Sequence, residues 1–499
     1  MLFQLLWLLL LGIITYLLLR RGVAKITRTS IGLLWLVMMT PALSWMTWVA
    51  VHGDRQPMPI SLILMIFVLC LMMYVLLVQV GRLSPPQSDH DPNDSNPNPT
   101  EAEDSEVVEP SSPPRPITQD EETTLRTCFP WTVFPLRNLE YRPQAVICRG
   151  QLRSQPEIAY KTIREKVENQ FGDRFVIVLQ NDFNDQPFFA VILNPYRRNP
   201  PPEGTSDPLT RPVLAIAFLL ITLFTTTVAG VGMVDISAQT WLSNPRLLLQ
   251  GLPYAIPLIS ILGAHELVHY AMARRYQIRT TLPFFIPMPF FLGTFGAMTQ
   301  MRSPVPHRKA LFDINIIGPV VGFVLTLGCL WWGLRESEVI PIPVEGAGIF
   351  NFDALDPSFS FLLTVLSKLA LGEPLSAAKA IDLHPAAIAG YLGLVVTAFN
   401  LLPIGQLNGG QIVHAMFGRR TAMVIGQITR FLMLALSLIQ GEFLVLAILL
   451  FFLPLNYEPA LNDVTELDNV RDLIGLITLT LLLCIILPMP QMVAAWMQY

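Results

Sequence analysis

Leu252-Pro-Tyr-Ala-Ile-Pro-Leu-Ile-Ser-Ile-Leu-Gly-Ala-His-Glu-Leu-Val-His269 decides the architecture. Residues 252–264 carry no charge, and His265, Glu266 and His269 follow without a break. On a helix, positions four apart share a face, so both imidazoles project the same way with Glu266 beside them. Two histidines at this spacing bind zinc, and the glutamate handles protons for the zinc-bound water. The apolar setting, from about Leu248 to Tyr276, belongs in a bilayer. Charged groups there cost roughly 2.5–3.5 kcal/mol each on insertion scales, so they are kept for function or paired.

Composition agrees. The 499 residues are 52 % hydrophobic and only 14 % charged, against about 25 % charged in soluble proteins. This is the make-up of a polytopic α-helical membrane protein embedded in a lipid bilayer. The net charge of −4 says little about partners, and nothing in the sequence suggests a nucleic-acid partner. Cys70, Cys128, Cys148, Cys329 and Cys484 are scattered and form no CxxC pair, so they are packing residues rather than ligands or a disulfide framework. No cleavable signal or transit peptide is evident. The first apolar run ends in Arg20-Arg21 and reads as a retained membrane helix.

Apolar runs long enough for the bilayer predict about ten spans. They are Leu2–Leu19, Ile31–Val51, Ile60–Val80, Pro212–Met233, the helix around His265, Ala310–Leu334, Pro385–Phe399, Thr421–Leu438, Phe443–Leu455 and Leu473–Leu487. Residues 1–82 therefore hold three N-terminal helices. Residues 83–116 form an acidic, Pro-rich linker with too little apolar surface to order. Residues 117–200 read as a small soluble α/β domain inserted between the third and fourth spans. Within it, Pro156–Phe171 is an amphipathic helix with Pro156 at its first position. Asp173–Gln180 and Pro187–Leu193 are strands joined by a polar turn. Residues 201–420 make the membrane core that carries the chemistry, and residues 421–499 the C-terminal helices.

Two interrupted segments flank the histidine helix. Leu282–Gly296 is apolar but broken by three prolines and two glycines. It reads as a re-entrant loop or hairpin beside the metal, whose backbone groups can pair with an extended peptide. Asn400-Leu-Leu-Pro-Ile-Gly-Gln-Leu-Asn-Gly-Gly410 ends one helix and starts another. Broken membrane helices that expose amide side chains are typical binding sites. A zinc site of this type needs a third protein ligand, and this stretch supplies the best donors, with His414 a further one. Asp313, Asn315 and Gly318-Pro319 are odd in a lipid-facing helix and imply packing or site lining. A transporter would explain the broken helices but not the histidine spacing.

The HELVH helix followed by Asn400, Pro403 and Gly409-Gly410 resembles the site-2 protease family of intramembrane zinc metalloproteases. The likeness is closest to its EGY-like plastid and cyanobacterial branch. Gly150-Gln-Leu-Arg153 is similar to that branch's G-N-L-x signature, with Gln151 in place of asparagine. Phe284–Val324, including Phe291–Gly296 and Met301–Pro306, looks like the branch's most recognisable segment, Asn400–Phe417 looks like its C-terminal motif, and the likeness covers roughly Thr127 to Arg420. It implies zinc held by His265 and His269, Glu266 as catalytic base, and Asn400 as the residue that holds the substrate or polarises its carbonyl. The family's third ligand is the aspartate of an L-D-G motif. Here that position is Asn408, whose carbonyl oxygen can coordinate a metal but carries no charge. The resemblance implies a zinc metalloendopeptidase that cleaves membrane-spanning protein substrates, and the lack of an evident transit peptide points to a cyanobacterial plasma or thylakoid membrane rather than a plastid one. Asn408 keeps open a non-proteolytic or weakly active member that binds and stabilises other membrane proteins.

Overall fold

The computed structural model describes, with short internal breaks, residues 30–52, 117–194, 212–342, 352–372, 379–439 and 443–490, plus scattered positions near both ends. In chain order the elements are α1 (Ile31–His52), α2 (Gln119–Thr127), β1 (Leu136–Arg142), β2 (Ala145–Gly150), α3 (Pro156–Phe171), β3 (Phe175–Asn181), β4 (Pro187–Leu193), α4 (Pro212–Gly232), α5 (Leu252–Arg275), β5 (Phe284–Pro287), β6 (Thr294–Met298), α6 (Arg308–Arg335), β7 (Glu338–Pro341), α7 (Phe361–Leu371), β8 (Lys379–Asp382), α8 (Pro385–Leu401), α9 (Asn408–Ile439), α10 (Leu444–Phe452) and α11 (Asn469–Ile486).

Among the described residues six helices are long and apolar enough to cross a membrane, not about ten. They lie in α1, α4, the run Pro245–Arg275 that ends as α5, α6, α9 and α11. The expected span Phe443–Leu455 yields α10, which has only 9 residues. Nine residues rise about 14 Å, half of a bilayer core. The expected span Pro385–Phe399 yields α8, apolar and 17 residues long, at the lower limit of what crosses a bilayer core. Gln411–Phe417 and Thr421–Leu438 fall within one helical stretch, α9, interrupted at Gly418 with φ +82°. The expected spans Leu2–Leu19 and Ile60–Val80 lie largely outside the described residues, and the acidic linker lies wholly outside them.

The chain divides into two compact units, residues 1–111 with 430–453, and residues 112–429 with 454–499. In the first unit Trp35 Nε1 donates to the Gly12 carbonyl (2.7 Å). Arg430 donates to the Leu453 carbonyl, and Phe431 meets Phe451 edge-on at 5.8 Å.

The second unit contains an α/β module and a helical core. The module's sheet runs β1-β2-β4-β3, antiparallel throughout. β3 and β4 pair from Phe175↔Leu193 to Asn181↔Pro187, across the turn the sequence predicts. Pro156 stands at the start of α3, where its missing N–H costs nothing. Ala159, Ile163 and Val167 turn the apolar face of α3 inward, against Phe134, Leu179 and Phe189. Gly150 ends β2 where a Cβ would sit 2.5 Å from both Phe134 Cε1 and the Pro135 carbonyl, which explains a glycine at this signature position.

In the helical core α5, α6 and α8 pack against one another. Small residues let α6 and α8 approach backbone to backbone. A Cβ on Gly333 would lie 2.2 Å from Ala387 N, and one on Gly390 2.6 Å from Leu330 N. The run Leu282–Gly296 supplies β5 and most of β6, an antiparallel pair from Phe284↔Met298 to Pro287↔Thr294. Gly293 (φ +78°) seats the hairpin on α4: Thr225 Oγ1 donates to its carbonyl (2.6 Å), and a Cβ there would be 2.4 Å from Thr226 Cα.

Candidate metal centre

The spacing of His265 and His269 puts both rings on one face of α5, stacked with centroids 5.7 Å apart and planes 25° from parallel. His265 is buried and Glu266 half-buried, with Glu266 Oε1 3.9 Å from His265 Nε2. The opposing wall is α6. Gly318 leaves room for the rings: a Cβ there would lie 2.5 Å from His269 Cδ2 and 3.0 Å from His265 Nε2. Gly322, one turn on, does the same at 3.2 Å from His265 Nδ1.

The third side comes from the α8–α9 junction. The loop 402–407 turns sharply at Gly405 (φ +52°), where a Cβ would be 2.3 Å from the Pro454 carbonyl. Gly409 follows with a Cβ position only 1.8 Å from the Leu401 carbonyl. Only glycine fits either place. Between them Asn408 begins α9, its Nδ2 3.2 Å from His265 Nε2, and it also reaches the His269 side chain. Two ligands on a tetrahedral zinc, with bonds of about 2.0–2.1 Å, stand about 3.3 Å apart. The His265–Asn408 separation matches that spacing. A turn of the amide exchanges its N and O and presents Oδ1 to a cation. The donors therefore fit a zinc ion, with one negative charge fewer than a carboxylate would supply.

Asn400 lies in the last turn of α8 and is half-buried. Among the described residues no hydrogen bond joins its side chain to the other four. His414 is fully buried and engaged elsewhere, its Nε2 3.0 Å from Asp463 Oδ1. Among the described residues no three His, Cys, Asp or Glu side chains gather as a metal cage. The structure thus brings His265, Glu266, His269 and Asn408 together and leaves His414 out.

The hairpin adjoins this site. Phe285 of β5 touches Gly263 of α5, where a Cβ would be 3.2 Å from its ring. Tyr254 Oη donates to the Leu292 carbonyl at the hairpin turn (2.9 Å). Thr299, just past β6, lies beside the Glu266 carboxyl. Gly322 and Thr299 lie within Phe284–Val324, a segment that carries the family resemblance, but nothing in the sequence marks either as facing the site. Asp313 and Asn315 prove to be packing residues. Asp313 accepts two hydrogen bonds from Arg471 (both 2.8 Å) and one from Tyr276, and Asn315 donates to the Leu311 carbonyl.

The family model for Peptidase family M50 matches residues 253–439, and that for the EGY3 middle domain matches residues 123–200. "Probable zinc metalloprotease EGY2, chloroplastic" of Arabidopsis thaliana is 32% identical over 364 residues, covering 72% of this chain and 63% of that protein. "Probable zinc metalloprotease EGY1, chloroplastic" of Oryza sativa subsp. japonica is 28% identical over 371 residues, 69% of this chain and 63% of that protein. "Probable zinc metalloprotease EGY3, chloroplastic" of Oryza sativa subsp. indica is 27% identical over 384 residues, 73% and 63% respectively. The chain thus spans slightly less than two thirds of the length of these relatives. No solved structure matches it. The M50 match covers the histidine helix, the small-residue wall of α6 and the Asn408 junction, and the middle-domain match covers the α/β module: the chain belongs to peptidase family M50, the site-2 proteases, in its EGY-like branch.

Proposed function

We propose that this protein is an intramembrane zinc endopeptidase acting on membrane-spanning proteins whose helices unwind locally at the cleavage point. The observation that carries the reading is the convergence of His265, His269 and Asn408 beside the Glu266 carboxyl, where the apolar helix α5 meets the start of α9. His265 and His269 hold the zinc through imidazole nitrogen, and Asn408 through its amide oxygen. When bound, zinc supplies Lewis acidity, lowering the pKa of a coordinated water towards about 7 and polarising the scissile carbonyl. Glu266 accepts the proton that the attacking water gives up. It then delivers a proton to the amine nitrogen as the C–N bond breaks. Asn400 holds the substrate backbone and donates to the carbonyl oxygen as it becomes anionic. Among the described residues β5 pairs with β6 alone, so the hairpin offers an extended substrate segment a strand edge on which to dock.

The uncharged ligand at Asn408 supports a second reading, a family member that binds and stabilises membrane proteins without cutting them. One experiment separates the two. Purified protein is reconstituted with a fluorogenic transmembrane peptide containing Gly and Pro near its midpoint. The endopeptidase reading expects cleavage by the wild type and loss of about 10²–10⁴-fold in Glu266→Gln at unchanged zinc content. Equal cleavage by Glu266→Gln would sink the mechanism. Peptide binding without cleavage by the wild type would favour the second reading.

A further inference from the structure

Tyr457 and the stretch Leu461–Asp463 touch three separate parts of the second unit. β3 is an edge strand of the module's sheet, and this stretch lies along its open side. Leu179 N–H donates to the Leu461 carbonyl (2.7 Å) and Asp463 N–H to the Leu179 carbonyl (2.9 Å). Leu461 and Val464 pack on the module's core. On the opposite side Leu461 N–H donates to the Val305 carbonyl (2.9 Å) and Asn462 N–H to that of Pro306 (3.0 Å), just before α6. Asn462 is buried and fixes the turn: its Oδ1 accepts from Val464 and Thr465 N–H, and its Nδ2 donates to Thr465 Oγ1.

Both ends of this strap reach the element that presents Asn408. The Asp463 carboxylate binds His414 Nε2 at 3.0 Å and lies 3.9 Å from Arg308 Nε, while Arg308 Nη2 donates to the His414 carbonyl (3.0 Å). All three side chains are under 10% exposed. His414 sits in α9, less than two turns after Asn408. Tyr457 stacks edge-on to His414 at 5.6 Å. Its hydroxyl accepts the Gly405 N–H (3.1 Å) and donates to the Ala422 carbonyl (2.9 Å). Gly405 is the left-handed corner of the loop that delivers Asn408.

We infer that Tyr457 and Asp463 are positioning residues for Asn408, and that their strap ties docking of the α/β module to the placement of Asn408 against His265. Neither touches the metal-binding atoms. They act by holding the loop and the first turns of α9. A buried carboxylate that loses its partner, or a buried N–H left unpaired, is costly enough to shift both. The zinc part of this inference rests on the endopeptidase reading; the structural part does not.

The test uses the full-length protein in detergent, with amide hydrogen exchange of residues 402–412 and zinc affinity by chelator competition. Tyr457→Phe removes only the hydroxyl. Leu461→Ser/Val464→Ser loosens the strap from the module without touching α9. Val167→Ala, on α3, weakens the module core while leaving Tyr457 and the strap residues unchanged, and serves as the control. Exchange over 402–412 should rise, and zinc affinity fall, about tenfold in Tyr457→Phe, the effect of one unpaired buried N–H, and in the same direction in the strap–module variant. Val167→Ala should lower the melting temperature alone. Exchange within about twofold of wild type in both strap variants would overturn the inference. A wild type that binds no zinc would remove the zinc reading while exchange still decides the strap.

Discussion

Gly318→Ala should damage the zinc site more than any other single added methyl on α6. The new Cβ would stand 2.5 Å from His269 Cδ2 and 3.0 Å from His265 Nε2, about 1 Å inside ordinary carbon contact. His265 has little room to retreat, because Gly322 lies against its other side, where a Cβ would stand 3.2 Å from Nδ1. Either α6 shifts or both rings rotate off the shared face. Overpacking of this kind costs about 1–3 kcal/mol, and displacing the support of metal-binding histidines costs about 10–100-fold in metal affinity. The control is Gly328→Ala on the same helix, where nothing lies within 4 Å of the added Cβ. Alanine favours a helix over glycine by about 0.5–1 kcal/mol, so this variant should melt no lower than wild type and bind zinc normally. Chelator competition and thermal unfolding in detergent provide both readouts. Wild-type zinc affinity in Gly318→Ala would refute the close contact of α6 with the histidine face.

Two further outcomes are expected. Asn408→Asp supplies the missing negative charge 3.2 Å from His265 Nε2 and should raise zinc affinity by at least about tenfold; no gain would mean that this side chain does not coordinate. His307 and His384 cap α6 and α8 through Nδ1, accepting the N–H of Ala310 (3.0 Å) and Ala386 (3.2 Å), which only neutral imidazole can do. Burial lowers both pKa values; Glu157 and Asp313 oppose the shift at His307, and Glu336 opposes it at His384. Below pH about 6.5 the unfolded chain binds protons that the fold resists, so stability is present above that pH and lost as pH falls. His307→Asn/His384→Asn keeps both acceptors without titrating and should flatten the acid side of the melting curve. An unchanged acid slope would contradict that assignment.

The local parts of the molecule were legible in the sequence. Pro156–Phe171 forms the helix its periodicity predicts, and the proline-broken run Leu282–Gly296 gives a hairpin rather than a straight helix. Both follow from neighbouring residues alone. Two expected spans, Pro385–Phe399 and Phe443–Leu455, came out as short helices because hydropathy does not register the length limits set by the Gly405 turn after α8 or by Pro454 after α10. His414 looked like a ligand because its partner, Asp463, is 49 positions away and no spacing rule joins them. The pairing of Asp313 with Arg471 spans 158 positions and was equally invisible. Asn408 itself was legible as a departure from the L-D-G motif, whereas its contact with His265 needed the three-dimensional junction. Tight glycine contacts at Gly318 and Gly322 depend on which helix lies opposite, which composition cannot reveal.

The most direct test of the central claim is the metal content of detergent-purified protein by elemental analysis, wild type beside His265→Ala. The zinc-site account predicts close to one zinc per chain, lost in the variant. Absence of zinc from the wild type after zinc is supplied, or equal zinc in both proteins, would contradict it.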